Sequence, residues 1–152
     1  MRALALLTAR EEVFMQEVLF LADADPQWRD VCQRILAQCG FILDMSTDGL
    51  TCLARVRARQ PTVLIVDLDI PWGGGEGVLA CLRDESRLPA VVIVTGSSSP
   101  DALSERTGIP PSHCLRKPFH VDTLLNLLQS AIRLHTGMAP TEARPAQRGA
   151  AT

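Results

Sequence analysis

The sequence predicts one α/β domain in which a parallel β-sheet is covered by helices on both faces. Five short apolar runs rich in β-branched residues alternate with segments of helical period, as successive βα units do. A chain of 152 residues, 47% of them hydrophobic, can bury one substantial core and is cramped for two.

The first strand is expected at Val18–Ala22, inside "VLFLADADP". The following "PQWRDVCQRILAQCG" reads as a helix: Pro26 suits a first turn, Trp28, Val31, Cys32, Ile35 and Leu36 share one face, and Gly40 ends it. A second strand at Phe41–Met45 leads to a helix from about Gly49 to Arg59, with Leu50, Leu53, Ala54 and Val56 inward and Pro61 beyond its end. The third strand, Val63–Val66, precedes the loop "PWGGGEG" and a helix over about Gly77 to Asp84. After the fourth strand, Ala90–Thr95, a short and weakly apolar helix near Asp101–Arg106 gives way to the loop "TGIPPSH". The fifth strand is expected at His113–Leu115. The last helix, Val121–His135, carries Leu124, Leu125, Leu127, Leu128, Ala131, Ile132 and Leu134, more apolar surface than one packing face requires, so part of it is expected to meet a partner. Residues 1–16 form an extension that could be helical, 17–135 the domain, and 136–152 a tail with almost nothing to bury, expected to be disordered.

Composition excludes several function classes. A formal charge of −2 with mixed signs offers no basic face for nucleic acid. The longest apolar runs are strand-sized and the opening is too short-cored for a signal peptide, so a cytoplasmic chain without membrane insertion is expected. Five scattered cysteines, odd in number and without a C-x-x-C pair, suit core packing better than a zinc site or disulfides.

In open parallel sheets, ligands sit beyond the carboxyl ends of the strands, where loops and helix starts converge. The first strand ends in Asp23 and Asp25, the third in Asp67 and Asp69, the fourth in Thr95 and the fifth in Lys117 of "CLRKPF". Carboxylates, a hydroxyl and an ammonium at one edge suit phosphoryl chemistry: a carboxylate can attack phosphorus, while a lysine, a hydroxyl and a hard cation engage the phosphoryl oxygens. Taken singly, each has a structural explanation, a helix cap for an Asp or β-propensity for the Thr.

These residues resemble the receiver domain of bacterial two-component response regulators over about residues 17 to 135. Asp67, four residues before Pro71, matches the phosphoacceptor. Thr95 matches the switch hydroxyl, and Lys117 of "KPF", 22 residues later, matches the family's lysine, usually followed by a cis bond to the proline, here Pro118. The resemblance implies a flavodoxin-like, doubly wound five-stranded sheet of order 2-1-3-4-5. It also implies Mg²⁺ held by Asp23, Asp67 and the backbone carbonyl of Asp69, with the Asp69 carboxylate as an alternative ligand. The implied partners are a histidine kinase or phosphotransfer protein and a downstream effector, with a homodimer through the last helix as a further expectation.

Two positions depart from the pattern. Ala24 stands where the family carries a second acidic residue, so metal binding is expected to be weak, and Asp25 is expected to cap the following helix rather than replace it. Cys114 stands where an aromatic switch residue is usual. The leading reading is a stand-alone receiver in a histidine-to-aspartate phosphorelay, accepting phosphoryl and signalling through protein contacts, with no catalytic output of its own. The alternative is a pseudo-receiver that serves as a constitutive interaction or dimerisation module. A third reading starts from "DLDIP", Thr95 and Lys117, which also resemble elements of haloacid-dehalogenase-type phosphatases, although that family places D-x-D on its first strand.

Overall fold

All five apolar runs are strands in the computed structural model of the chain, which describes residues 17–137. They are β1 (Val18–Ala22), β2 (Ile42–Ser46), β3 (Val63–Asp67), β4 (Val91–Gly96) and β5 (Cys114–Arg116). All pair in parallel in the order β2-β1-β3-β4-β5. Every residue of β3 and β4 is buried, because helices cover both faces and leave no solvated side to alternate with. At the edge, β2 is only partly covered.

The helices are α1 (Pro26–Gln38), α2 (Gly49–Arg59), α3 (Gly74–Asp84), α4 (Pro100–Thr107) and α5 (Val121–Thr136), with a 3₁₀ turn at Pro111–His113 before β5. Strand alternation divides the core in two. Phe20, Leu64, Val66, Val92 and Val94 face α2, α3 and α4, where Cys52, Val56, Leu79, Leu82 and Leu103 meet them. Leu19, Leu21, Val63, Ile65 and Ile93 face α1 and α5, against Cys32, Leu36, Leu124, Leu128 and Ile132.

Several details differ from the sequence-based expectation. On α2 the buried residues are Gly49, Cys52 and Val56, while Leu50 and Ala54 are exposed. Cys52 and Val56, four apart, define the inward stripe, and Leu50 lies off it. Helix α3 begins three residues early, at Gly74, inside the glycine run. Helix α5 runs one residue past His135 and closes on Gly137 in the left-handed conformation. Its apolar excess is smaller than expected, since Leu125 and Leu127 pack partly against the core and only Leu134 is fully exposed. Cys32, Cys52 and Cys114 are buried free thiols, whereas Cys81 is exposed, against the core-packing expectation. Burial pushes the Cys32 and Cys52 thiols up to about 12, which leaves them unreactive at neutral pH. The expected helix within residues 1–16 and disorder after Gly137 lie outside the described residues.

Candidate functional site

The sheet brings the predicted residues together at its carboxyl edge. Asp67 is the last residue of β3 and is paired in register with Thr95 of β4. The Leu68 amide donates to the Thr95 carbonyl at 3.0 Å, and the Lys117 amide donates to the Gly96 carbonyl at 2.7 Å, so β4 fixes the chain just beyond both β3 and β5. Asp23 follows β1, its amide donating to Ser46 and its carbonyl accepting from Arg29 Nη1 at 2.8 Å.

Asp23 and Asp67 are nearly sealed from solvent, 1% and 5% exposed, and the Lys117 ammonium bridges them. Its Nζ lies 2.8 Å from Asp23 Oδ2 and 2.7 Å from Asp67 Oδ2. The other oxygen of each carboxylate accepts a backbone amide two residues on, Asp25 N–H to Asp23 Oδ1 and Asp69 N–H to Asp67 Oδ1. Two buried carboxylates against one ammonium leave one excess negative charge, so a cation has reason to enter. Burial opposes the charge on Lys117, but its hydrogen bonds to Asp23 and Asp67 outweigh that and hold its pKa above the ordinary lysine value.

Thr95 is the third member. Its Oγ1 is buried and has no hydrogen-bond partner among the described residues. A hydroxyl left unpaired in an otherwise satisfied edge is poised to meet an acceptor that arrives from outside.

The remaining expected residues divide. Asp25 is the N-cap of α1, accepting from the Gln27 and Trp28 amides, so it serves the helix as its position suggested. Ala24 is exposed between the two acids and supplies no ligand. The Asp69 side chain is exposed, and only its amide touches Asp67. Cys114 is buried, its Sγ donating toward the Ile109 and Pro110 carbonyls, with no ring to swing. Trp72 is 72% exposed rather than folded over Asp67. The Lys117–Pro118 bond is cis.

Two residues of the site were not singled out in the sequence. Arg29 anchors the Asp23 carbonyl from the first turn of α1, and a basic residue on a helix carries no signal of that reach. Gly75 carries one: a Cβ there would sit 2.8 Å from the Asp67 carbonyl oxygen and 2.9 Å from Leu68 Cα. The glycine run marks this close approach.

No group of three or more His, Cys, Asp or Glu side chains is placed to hold a metal among the described residues. The hard oxygens of Asp23 and Asp67 nevertheless fit Mg²⁺, which needs only one or two carboxylates and keeps several waters. Beside them, Asp25, Trp28, Lys117, Pro118 and Phe119 line an open cleft of about 390 Å³, in which Trp28 meets Phe119 edge-on at 5.0 Å.

The family pattern of the response regulator receiver domain matches residues 19–129. The chain belongs to that family. Among curated relatives, this receiver is 29% identical over 136 residues to the transcriptional regulatory protein CseB of Streptomyces avermitilis, covering 88% of the chain and 56% of that protein. It is 28% identical over 115 residues to the DNA-binding transcriptional regulator NtrC of Salmonella typhimurium, covering 76% of the chain and 24% of NtrC. The chain thus spans half or less of what those regulators comprise beyond a small margin: 56% and 24% of their lengths. Two solved structures share its fold. The receiver domain of the Francisella response regulator 1452 superposes with a TM-score of 0.70 at 20% identity, covering 82% of this chain and all of that one. Vibrio cholerae chemotaxis protein CheY4 gives 0.66 at 21% identity, covering 76% and 98%. Receiver domains of this family work in two-component systems and typically bind Mg²⁺ at the phosphorylation site. Membership in the receiver family removes the basis for the dehalogenase reading. No helix among the described residues is long and apolar enough to cross a membrane.

Proposed function

We propose that this receiver accepts a phosphoryl group on Asp67 from a histidine kinase or phosphotransfer protein and relays the signal through protein contacts. The observation that carries this reading is the trio at the β3–β4–β5 edge: the buried Asp67 carboxylate, Lys117 Nζ at 2.7 Å, and the unpartnered Thr95 hydroxyl on the paired strand. In the transfer, an Asp67 carboxylate oxygen forms a bond to phosphorus as the bond from phosphorus to the donor's histidine nitrogen breaks, giving an acyl phosphate. Lys117 then turns from the carboxylate to a phosphoryl oxygen, and Thr95 donates its hydroxyl to another. Mg²⁺, when bound at Asp23, Asp67 and the Asp69 carbonyl, supplies further neutralisation of the phosphoryl charge. We assign the output contact to α5, where Leu134 is exposed and Leu127, seven residues earlier, is partly so.

The test is labelling by a small-molecule phosphodonor, read by mass spectrometry on wild type and Asp67→Asn. Wild type is expected to gain one phosphoryl group and the variant none. Equal labelling of the two proteins removes Asp67 as acceptor. A second reading, a constitutive interaction module with no phosphorylation in use, is favoured by Ala24 and by Lys117 already bridging both carboxylates. Absence of any labelling with Mg²⁺ present would select it.

A further inference from the structure

At the pole opposite Asp67, beneath the amino ends of β3 and β4, lies a cavity of about 410 Å³. Five polar side chains line it: Gln60, Thr62, Ser86, Arg87 and His135. None of the five makes a side-chain hydrogen bond or ion pair with any described residue. No carboxylate lines the cavity. The nearby Glu85 is engaged by Arg57 from α2, which leaves the Arg87 guanidinium without a partner. Val56 and Leu88 supply an apolar wall, and Pro61 and Pro89 stiffen the two chain segments that frame it.

The backbone adds an independent observation. Gln60 at φ 47° and Ser86 at φ 55° are two of the three non-glycine residues in the left-handed region among the described residues. Glycine adopts that conformation without hindrance, whereas a side chain there destabilises the fold by about 1 kcal/mol. Both residues carry a hydrogen-bonding group to the cavity mouth in spite of this, and strain of that kind collects where ligands are held.

We propose that this cavity binds a small organic acid, its carboxylate held by Arg87 with Gln60 and Ser86 as further donors and its apolar body against Val56 and Leu88. A planar guanidinium matches a carboxylate. The carbonyl ends of α2 and α3 also converge here and carry partial negative charge, which favours a monoanion over a phosphate dianion.

The test is an NMR titration of the full chain with benzoate, benzamide and phenyl phosphate, following the amides of Thr62, Ser86 and Arg87. Benzoate is expected to shift all three, with benzamide and phenyl phosphate each about tenfold weaker or more. Arg87→Gln should lose about tenfold in benzoate affinity. Ser86→Gly should weaken benzoate while raising Tm, because it relieves the left-handed strain, so a loss there is not a loss of folding. Asp67→Asn should bind benzoate as wild type does, which separates this site from the phosphoryl chemistry. Benzamide binding as tightly as benzoate, phenyl phosphate binding more tightly, full affinity in Arg87→Gln, or no shift at tens of millimolar would each overturn the proposal.

Discussion

Two side chains decide what the carboxyl edge can hold. Ala24 is exposed where a third carboxylate would complete the metal set, so Ala24→Asp is expected to strengthen magnesium binding by calorimetry. Asp69→Asn should weaken it in wild type and matter less once Ala24→Asp is present, since neighbouring sites act non-additively. Strictly additive effects across the four proteins would leave Asp69 without a compensating role. Lys117 carries the second prediction. Lys117→Met leaves Asp23 and Asp67 facing each other without a counter-ion and should lower stability by about 2 kcal/mol, less than for a fully buried pair because the lysine is 31% exposed. The sign of its pH dependence follows from the raised pKa. Its stabilisation is complete below the ordinary value of 10.5 and is lost as pH rises through the higher folded value. Denaturant melts of wild type should therefore lose stability in that alkaline window, and Lys117→Met should lack this component.

At the level of elements, the glycine of the β3–α3 connection has the largest leverage. Helix α3 starts directly on the backbone of Asp67 and Leu68, with no room for a side chain at Gly75. Gly75→Ala is expected to destabilise the domain by about 1–3 kcal/mol and to slow labelling of Asp67, as read by chemical melts and mass spectrometry. Unchanged labelling would mean that the α3 start does not position the acceptor. This contact also explains where the sequence was legible and where it was not. The buried strands and the bounds of α2 were readable, since their signals are local: unbroken apolar runs, an Asp48 cap and a proline past the end. The start of α3 was not, because a run of glycines spells loop by propensity while the packing against Asp67 demands glycine inside a helix. Leu50 was placed inward for its hydrophobicity alone, although the phase set by Cys52 and Val56 turns it to solvent. Asp23, Asp67, Thr95 and Lys117 were all readable as strand-end residues. That one ammonium joins both acids was not, since it depends on a separation of 94 residues from Asp23 and 50 from Asp67.

For the molecule as a whole, the question is which surface speaks to others. Leu134 is 73% exposed on α5 and lies on the same stripe as Leu127. Leu134→Asp should weaken association with a partner or a second copy while leaving stability within about 0.5 kcal/mol of wild type. Sedimentation checks the self-association arm, and a monomer at every concentration in both proteins would rule out a homodimer through this face. Leu128 is unsuited to the same test, being fully buried in the core.

A wholly parallel sheet also gives the molecule two unlike ends. The Thr62 amide donates to the Val18 carbonyl at the start of β1, and His135, near the end of α5, lines the same pole as Thr62. Entry to and exit from the described domain therefore lie together, a sheet's length away from Asp67. A fluorescent protein fused at either end would hang from the far side like a weight from a handle. Attached there by a flexible linker, it should leave the labelling rate of Asp67 unchanged, which makes both ends usable as anchor points for surface immobilisation.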